Sequence, residues 1–328
     1  MQGGWNYFST RFQYTQLLTR KPRDDILIKK KRKEMTVMNK IAFCANPDTN
    51  YVYHMLSVSR CGYDNAYGEK YRSRYPAEDL QTIKQYEKEL TVSGGEHCGS
   101  WYHLMVIIPA RGEQKADEFY GYLLECIRTG DVPEEWVPHA EGIAAVARVM
   151  VKHYKDYVQN IWPIEREKIQ AYYPAVQRLF EERCFTDRAE ACVGCTLPAE
   201  QFQCMLVTSI AKGPEAIDIS PGQDVFGIER TPEDAFYFIG HEFIIYLLKE
   251  ALKEEDAFMR LETWMVTESL AEYYLKKVLG NTCLFKAQQS YVAFWESLPG
   301  HEEMTAVQLY RLGWEKRSFG RTGGKGIL

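Results

Sequence analysis

With 328 residues, 45% hydrophobic and 26% charged, the chain has the balance of an ordinary globular protein, enough for one large domain or two modest ones, and disorder is excluded as its default. It contains no apolar run of the roughly 20 residues needed to cross a bilayer and no apolar signal-peptide core, so a cytoplasmic protein without a membrane partner is expected. Residues 1–34 hold nine Lys/Arg against three Asp/Glu, or +6, which leaves −11 of the formal −5 on the remainder; an acidic body argues against nucleic-acid binding.

The basic leader ends in Lys29-Lys30-Lys31-Arg32-Lys33-Glu34-Met35, residues with purine-rich codons placed as a translated ribosome-binding site would be. The expectation is a natural start at Met35 or Met38, with residues 1–34 non-native or disordered; a natural peptide containing Trp5 would contradict it. Two further regions are expected, a mostly helical one over 35–184 and a second over 185–328.

In chain order, residues 39–45 read as a short strand and residues 50–58 as a helix before Gly62. From Pro76, acids follow a first-turn proline, and Leu80, Ile83, Tyr86 and Leu90 recur at helical intervals through residue 90. Residues 102–108 form an apolar run. An amphipathic helix follows over 115–128, ended by Gly130, and two long helices over 140–162 and 164–184 meet at Pro163.

Between residues 201 and 228 the period becomes that of strands, with Gly213, Pro214, Pro221 and Gly222 as turn residues. The reading is a small, largely antiparallel sheet. Thr231-Pro232-Glu233-Asp234 then supplies an N-cap, a proline at the first helical position and first-turn acids, launching a helix through residue 253. Another helix covers about 257–279, and two shorter ones precede a Gly-rich tail. The fold class is α+β, predominantly helical.

Two segments carry the main chemical clue: Gly240-His241-Glu242-Phe243-Ile244-Ile245-Tyr246, and Glu268-Ser269-Leu270-Ala271-Glu272-Tyr273-Tyr274 on the following helix. In H-E-x-x-H, two imidazoles four residues apart project from one helical face onto one metal, and the Glu after the first His reaches metal-bound water as general base. The layout of strands, a His-Glu helix and a helix reading E-x-L-A-x-Y resembles gluzincin-type zinc metallopeptidases, in particular bacterial families whose motif reads HEF followed by two more residues. The resemblance spans about residues 200–280. It implies zinc as cofactor, His241 and Glu268 as ligands, Glu242 as base, a small residue at Ala271 for close helix approach, and a peptide or protein as partner.

The departure lies at the second His position, where the residue is Ile245 and has no lone pair to offer. Tyr246 is one residue late, about 100° around an ideal helix. Glu272 and, more remotely, His301 are the candidate replacement ligands. The leading expectation is a degenerate zinc site in a non-catalytic binding or regulatory pseudoenzyme. The alternatives are an active peptidase with rearranged ligands and an interaction protein unrelated to peptidases.

The nine cysteines are an odd, scattered set that suits free thiols or metal ligands better than a disulfide framework. Cys184, Cys192, Cys195 and Cys204 make one C-x2-C knuckle with two outliers, a candidate structural zinc site for which buried reduced thiols are the simpler reading. His97-Cys98 with His103 raises a thiolate nucleophile, against a plain loop after Gly94-Gly95. Tyr51, Tyr53, Tyr63, Tyr67, Tyr71 and Tyr75 either line a recognition groove or pack on the core. No phosphate loop, Rossmann fingerprint or G-x-S-x-G elbow occurs, so nucleotide-dependent and serine-hydrolase functions have no support.

Overall fold

Strand β1 (Ile41–Cys44) lies far upstream of β2 (Phe202–Val207), β3 (Ala216–Ser220) and β4 (Gln223–Gly227), yet all four join one sheet in the order β1-β2-β4-β3. In this computed structural model the described residues are 40–93, 97–198, 202–211, 216–253, 264–280 and 289–316. The leader and both candidate start sites lie outside them, as do residues 257–263 of the expected helix, Cys283 and the tail. All described residues belong to one compact unit, Met38–Leu328.

The sheet is mixed, which corrects the expectation of a largely antiparallel one. Pro221 and Gly222 join β3 to β4 as an antiparallel pair, Gly222 at φ 73°, where a side chain would be strained. The pairings β1–β2 and β2–β4 are parallel. Parallel neighbours need a long crossover, and the helices between β1 and β2 provide one. Strand β4 then inserts between β2 and β3, so the turn residues after β2 do not make a hairpin.

Helix α1 (Pro47–Val58) begins at Asn46, whose side chain caps the Asp48 and Thr49 amides, and Asn50 Nδ2 donates to the Leu206 carbonyl at 3.0 Å, fastening α1 to β2. Next come α2 (Ala66–Arg72) and α3 (Ala77–Lys84). The helix expected to run from Pro76 to Leu90 breaks after Lys84 and resumes for one turn at Glu87–Leu90. At the break, Tyr86 leaves helical geometry (ψ 23°) to pack its ring 4.8 Å from Trp101, and Glu87 accepts the Gly62 amide at 2.9 Å.

The apolar run from 102 is helical, opening with a π-helical turn over His103–Ile107. Pro109 has no N–H to give the Met105 carbonyl at α spacing, and the Tyr120 hydroxyl donates to that carbonyl at 2.6 Å. Helices α4 (Ala116–Thr129), α5 (Ala140–Asn160), α6 (Trp162–Glu182) and α7 (Phe185–Val193) follow, with Pro163 in the first turn of α6 and Gly130 ending α4 at φ 76°.

The remaining elements are α8 (Pro232–Ala251), α9 (Trp264–Leu279), α10 (Gln289–Glu296) and α11 (Ala306–Lys316). Helix α8 is the hub: it lies on the sheet and packs against α6, α7 and α9. The six tyrosines of 51–75 are all buried, so they form core and not a groove. No described helix is long and apolar enough to cross a membrane.

Candidate functional site

Thr231 accepts the Asp234 amide at 3.1 Å and starts α8 with Pro232 in its first turn. On α8, Phe238 stands 6.1 Å from Phe226, Tyr246 stands 5.8 Å from Phe202, and Lys249 bonds Asp218 at 2.9 Å. These three fix the sheet-facing stripe, and Glu242, one turn beyond Phe238 and one before Tyr246, belongs to it. His241, one residue earlier, is rotated about 100° and meets α9 instead. Glycine at 240 lets α7 come close, because a Cβ there would sit 2.9 Å from the Phe185 ring.

Glu268 and Glu272 occupy one face of α9, a turn apart, with fully buried Ala271 between them. The structure brings His241 against both: Nε2 is 3.0 Å from Glu268 Oε2 and Nδ1 is 2.5 Å from Glu272 Oε1. The Glu268 contact is a hydrogen bond, whereas the Glu272 oxygen lies off the ring N–H direction and acts as a close ionic contact. Burial works against a charged imidazole here, but the hydrogen bond to Glu268, the close Glu272 contact and the charges of Glu268 and Glu242 outweigh it and hold His241 well above the ordinary histidine range. Two carboxylates thus clasp the ring on its two edges, an arrangement that favours the imidazolium form.

Behind it, Glu242 faces Asp224, which register sets opposite Asp218 on β3 and Cys204 on β2. Burial raises Glu242 to about 7; the Glu268 and Asp218 charges add to the rise, while His241 and Lys249 oppose it. Asp224, 7% exposed, is likewise driven well above the carboxylate range by burial and then by Glu242 and Asp218. Asp224, Asp218 and Lys249 escaped the sequence reading. The available signal was an acid two residues before Phe226, on the same face of the strand as that apolar side chain.

The donor set does not fit a three-ligand zinc site. Glu272 sits at the nitrogen opposite the one that Glu268 addresses, and two nitrogens of one ring cannot turn to a single ion. Ile245 is an aliphatic side chain, 6% exposed. His301 turns its Nδ1 to the Tyr273 hydroxyl at 2.9 Å. Only His241 Nε2 and Glu268 converge, and among the described residues no group of three His, Cys, Asp or Glu is arranged to hold a metal.

Nor do the cysteines of the C-x2-C knuckle form such a group among the described residues. Cys204 is fully buried beside Cys44 and Asp224, Cys184 is exposed, and Cys192 and Cys195 are partly buried. Backbone at His97–Cys98 pairs as a short strand with Val92–Ser93, while the side chains of both residues lie outside those described. Comparison with protein-family models, curated proteins and solved structures returned no match for this chain.

Proposed function

We propose that the chain is a metallopeptidase-like pseudoenzyme, a non-catalytic binding or regulatory protein with a degenerate zinc site and a peptide or protein as its partner. The observation that carries this reading is the closed imidazole: the one histidine of the motif is held on both edges by Glu268 and Glu272, and Ile245 stands where a second imidazole would complete a ligand set. What persists is a clasp that joins α8 to α9.

The test is metal content by inductively coupled plasma mass spectrometry on protein purified without a metal-affinity tag, with His241→Ala and Cys192→Ser/Cys195→Ser variants alongside. The proposal expects no near-stoichiometric zinc in any of the three. Zinc lost only with His241 would favour an active peptidase with rearranged ligands and would call for a peptidase screen. Zinc lost only with the cysteines would move the metal to the C-x2-C segment.

A further inference from the structure

A second buried ionisable cluster lies away from α8 and α9, around His54 on α1. His54 is fully buried, with Nδ1 2.5 Å from the Tyr67 hydroxyl of α2 and Nε2 2.7 Å from the Tyr75 hydroxyl. The Tyr67 hydroxyl also donates to Glu165 Oε1 in the first turn of α6, and Tyr157 of α5 donates to Glu165 Oε2 at 2.8 Å. Glu165 is fully buried. The five side chains therefore form one path from Tyr75, 6% exposed, to Glu165 and Tyr157 in the core, with the Thr208 hydroxyl beside Tyr67 and Glu165 at its inner end.

With Glu165 ionised, counting protons fixes the direction of every bond on this path. A phenol has one hydrogen, so when Tyr67 donates to an ionised Glu165 it cannot also donate to His54. Nδ1 of His54 must then carry the hydrogen. Burial, followed by the nearby Arg74 and His153 charges, lowers His54 to about 3, so the ring is neutral. Nε2 is therefore bare and accepts from Tyr75. All donors point toward Glu165.

We propose that this path is a one-proton switch in which the charge on Glu165 selects which nitrogen of His54 carries hydrogen and which way the Tyr75 hydroxyl faces. One proton arriving at the outer lone pair of Tyr75 lets Tyr75 pass its own to Nε2, His54 pass the Nδ1 hydrogen to Tyr67, and Tyr67 pass its hydrogen to Glu165. One proton enters, one lands on the carboxylate, and each intervening group ends neutral. Every bond between Tyr75 and Glu165 is then reversed, and Tyr75 is left donating outward.

The charged and titratable groups around the path are few. Burial raises Glu165, while the Tyr67, Tyr157 and Thr208 hydroxyls and the Lys168 charge on its own helix lower it. Tyr75 faces the charges of Asp156, Arg74 and Glu165 and packs 4.9 Å from the His153 ring, which bonds Asp79 at 2.7 Å. Tyr71 packs 5.6 Å from the His54 ring. The switch thus reports proton activity at the Tyr75 rim to the junction of α1, α2, α5 and α6.

The experiment is long-range 1H–15N NMR on 15N-histidine-labelled full-length protein. At pH 7.5 the wild type should show His54 neutral with hydrogen on Nδ1. In Glu165→Gln the amide donates to Tyr67 and its oxygen accepts from Tyr157, the only orientation that leaves no buried hydroxyl hydrogen stranded, so His54 should change to the Nε2–H tautomer. A wild type with Nε2–H, or a folded variant that keeps Nδ1–H, overturns the proposal. Should the variant not fold, the wild type carries the test: on lowering pH, His54 must change tautomer, still neutral, where the Glu165 carboxyl carbon titrates. Unfolding before that crossover, or Glu165 titrating while His54 stays Nδ1–H, overturns it as well.

Discussion

Oε1 of Glu272 lies 2.5 Å from Nδ1 of His241, on the ring edge opposite Glu268, with the Glu272 side chain 1% exposed. Deleting this carboxylate leaves a buried imidazolium with one partner. Glu272→Ala is expected to cost about 3–5 kcal/mol of folding stability in urea denaturation, the usual penalty for breaking a buried ion pair. His241→Leu/Glu272→Leu removes the charge together with its partner and should cost clearly less. Equal losses in the two variants would mean that the contact carries no charge.

Glu242 gives the pH dependence a sign. Its folded value is raised from 4.5 to about 7, first by burial. Its contribution to stability is therefore fully present below pH 4.5 and is lost as pH rises through about 7. Glu242→Gln has no such loss, so the variant should gain on the wild type between pH 5 and pH 8 in urea midpoints. A difference that is constant across that window would show that the carboxyl is not shifted.

Gly240 tests the approach of α7 to the motif helix. Alanine there would place Cβ 2.9 Å from the Phe185 ring, itself packed against Phe180, Phe236 and Phe243. Gly240→Ala should cost about 1–3 kcal/mol through overpacking, despite alanine's better helix propensity. A neutral or stabilising result would show that the ring yields freely.

The elements were legible wherever the residues themselves set them. Thr231-Pro232 marks the start of α8, Gly130 the end of α4, and Pro221-Gly222 the turn between β3 and β4, because capping and positive φ are local chemistry. Strand order was not legible, since β1 pairs with β2 across nearly the whole helical region. The break before Glu87 depends on Gly62 and Trp101, which periodicity does not see. At the site, the convergence of His241 with Glu268 followed from two helix-borne motifs at a suitable interval. Glu272 at Nδ1 depends on how the ring is turned, and that is decided by packing.

The most direct test of the central claim, that this is a peptidase-like site emptied by one missing ligand, is zinc titration by calorimetry of Ile245→His beside the wild type. Histidine at 245 restores the four-residue spacing to His241 and adds an imidazole to the His241–Glu268 pair. The account predicts one zinc bound per chain by the variant, released on adding Glu268→Ala, and no comparable binding by the wild type. Zinc bound by neither protein would contradict the peptidase resemblance, and zinc bound equally by both would contradict the degenerate site.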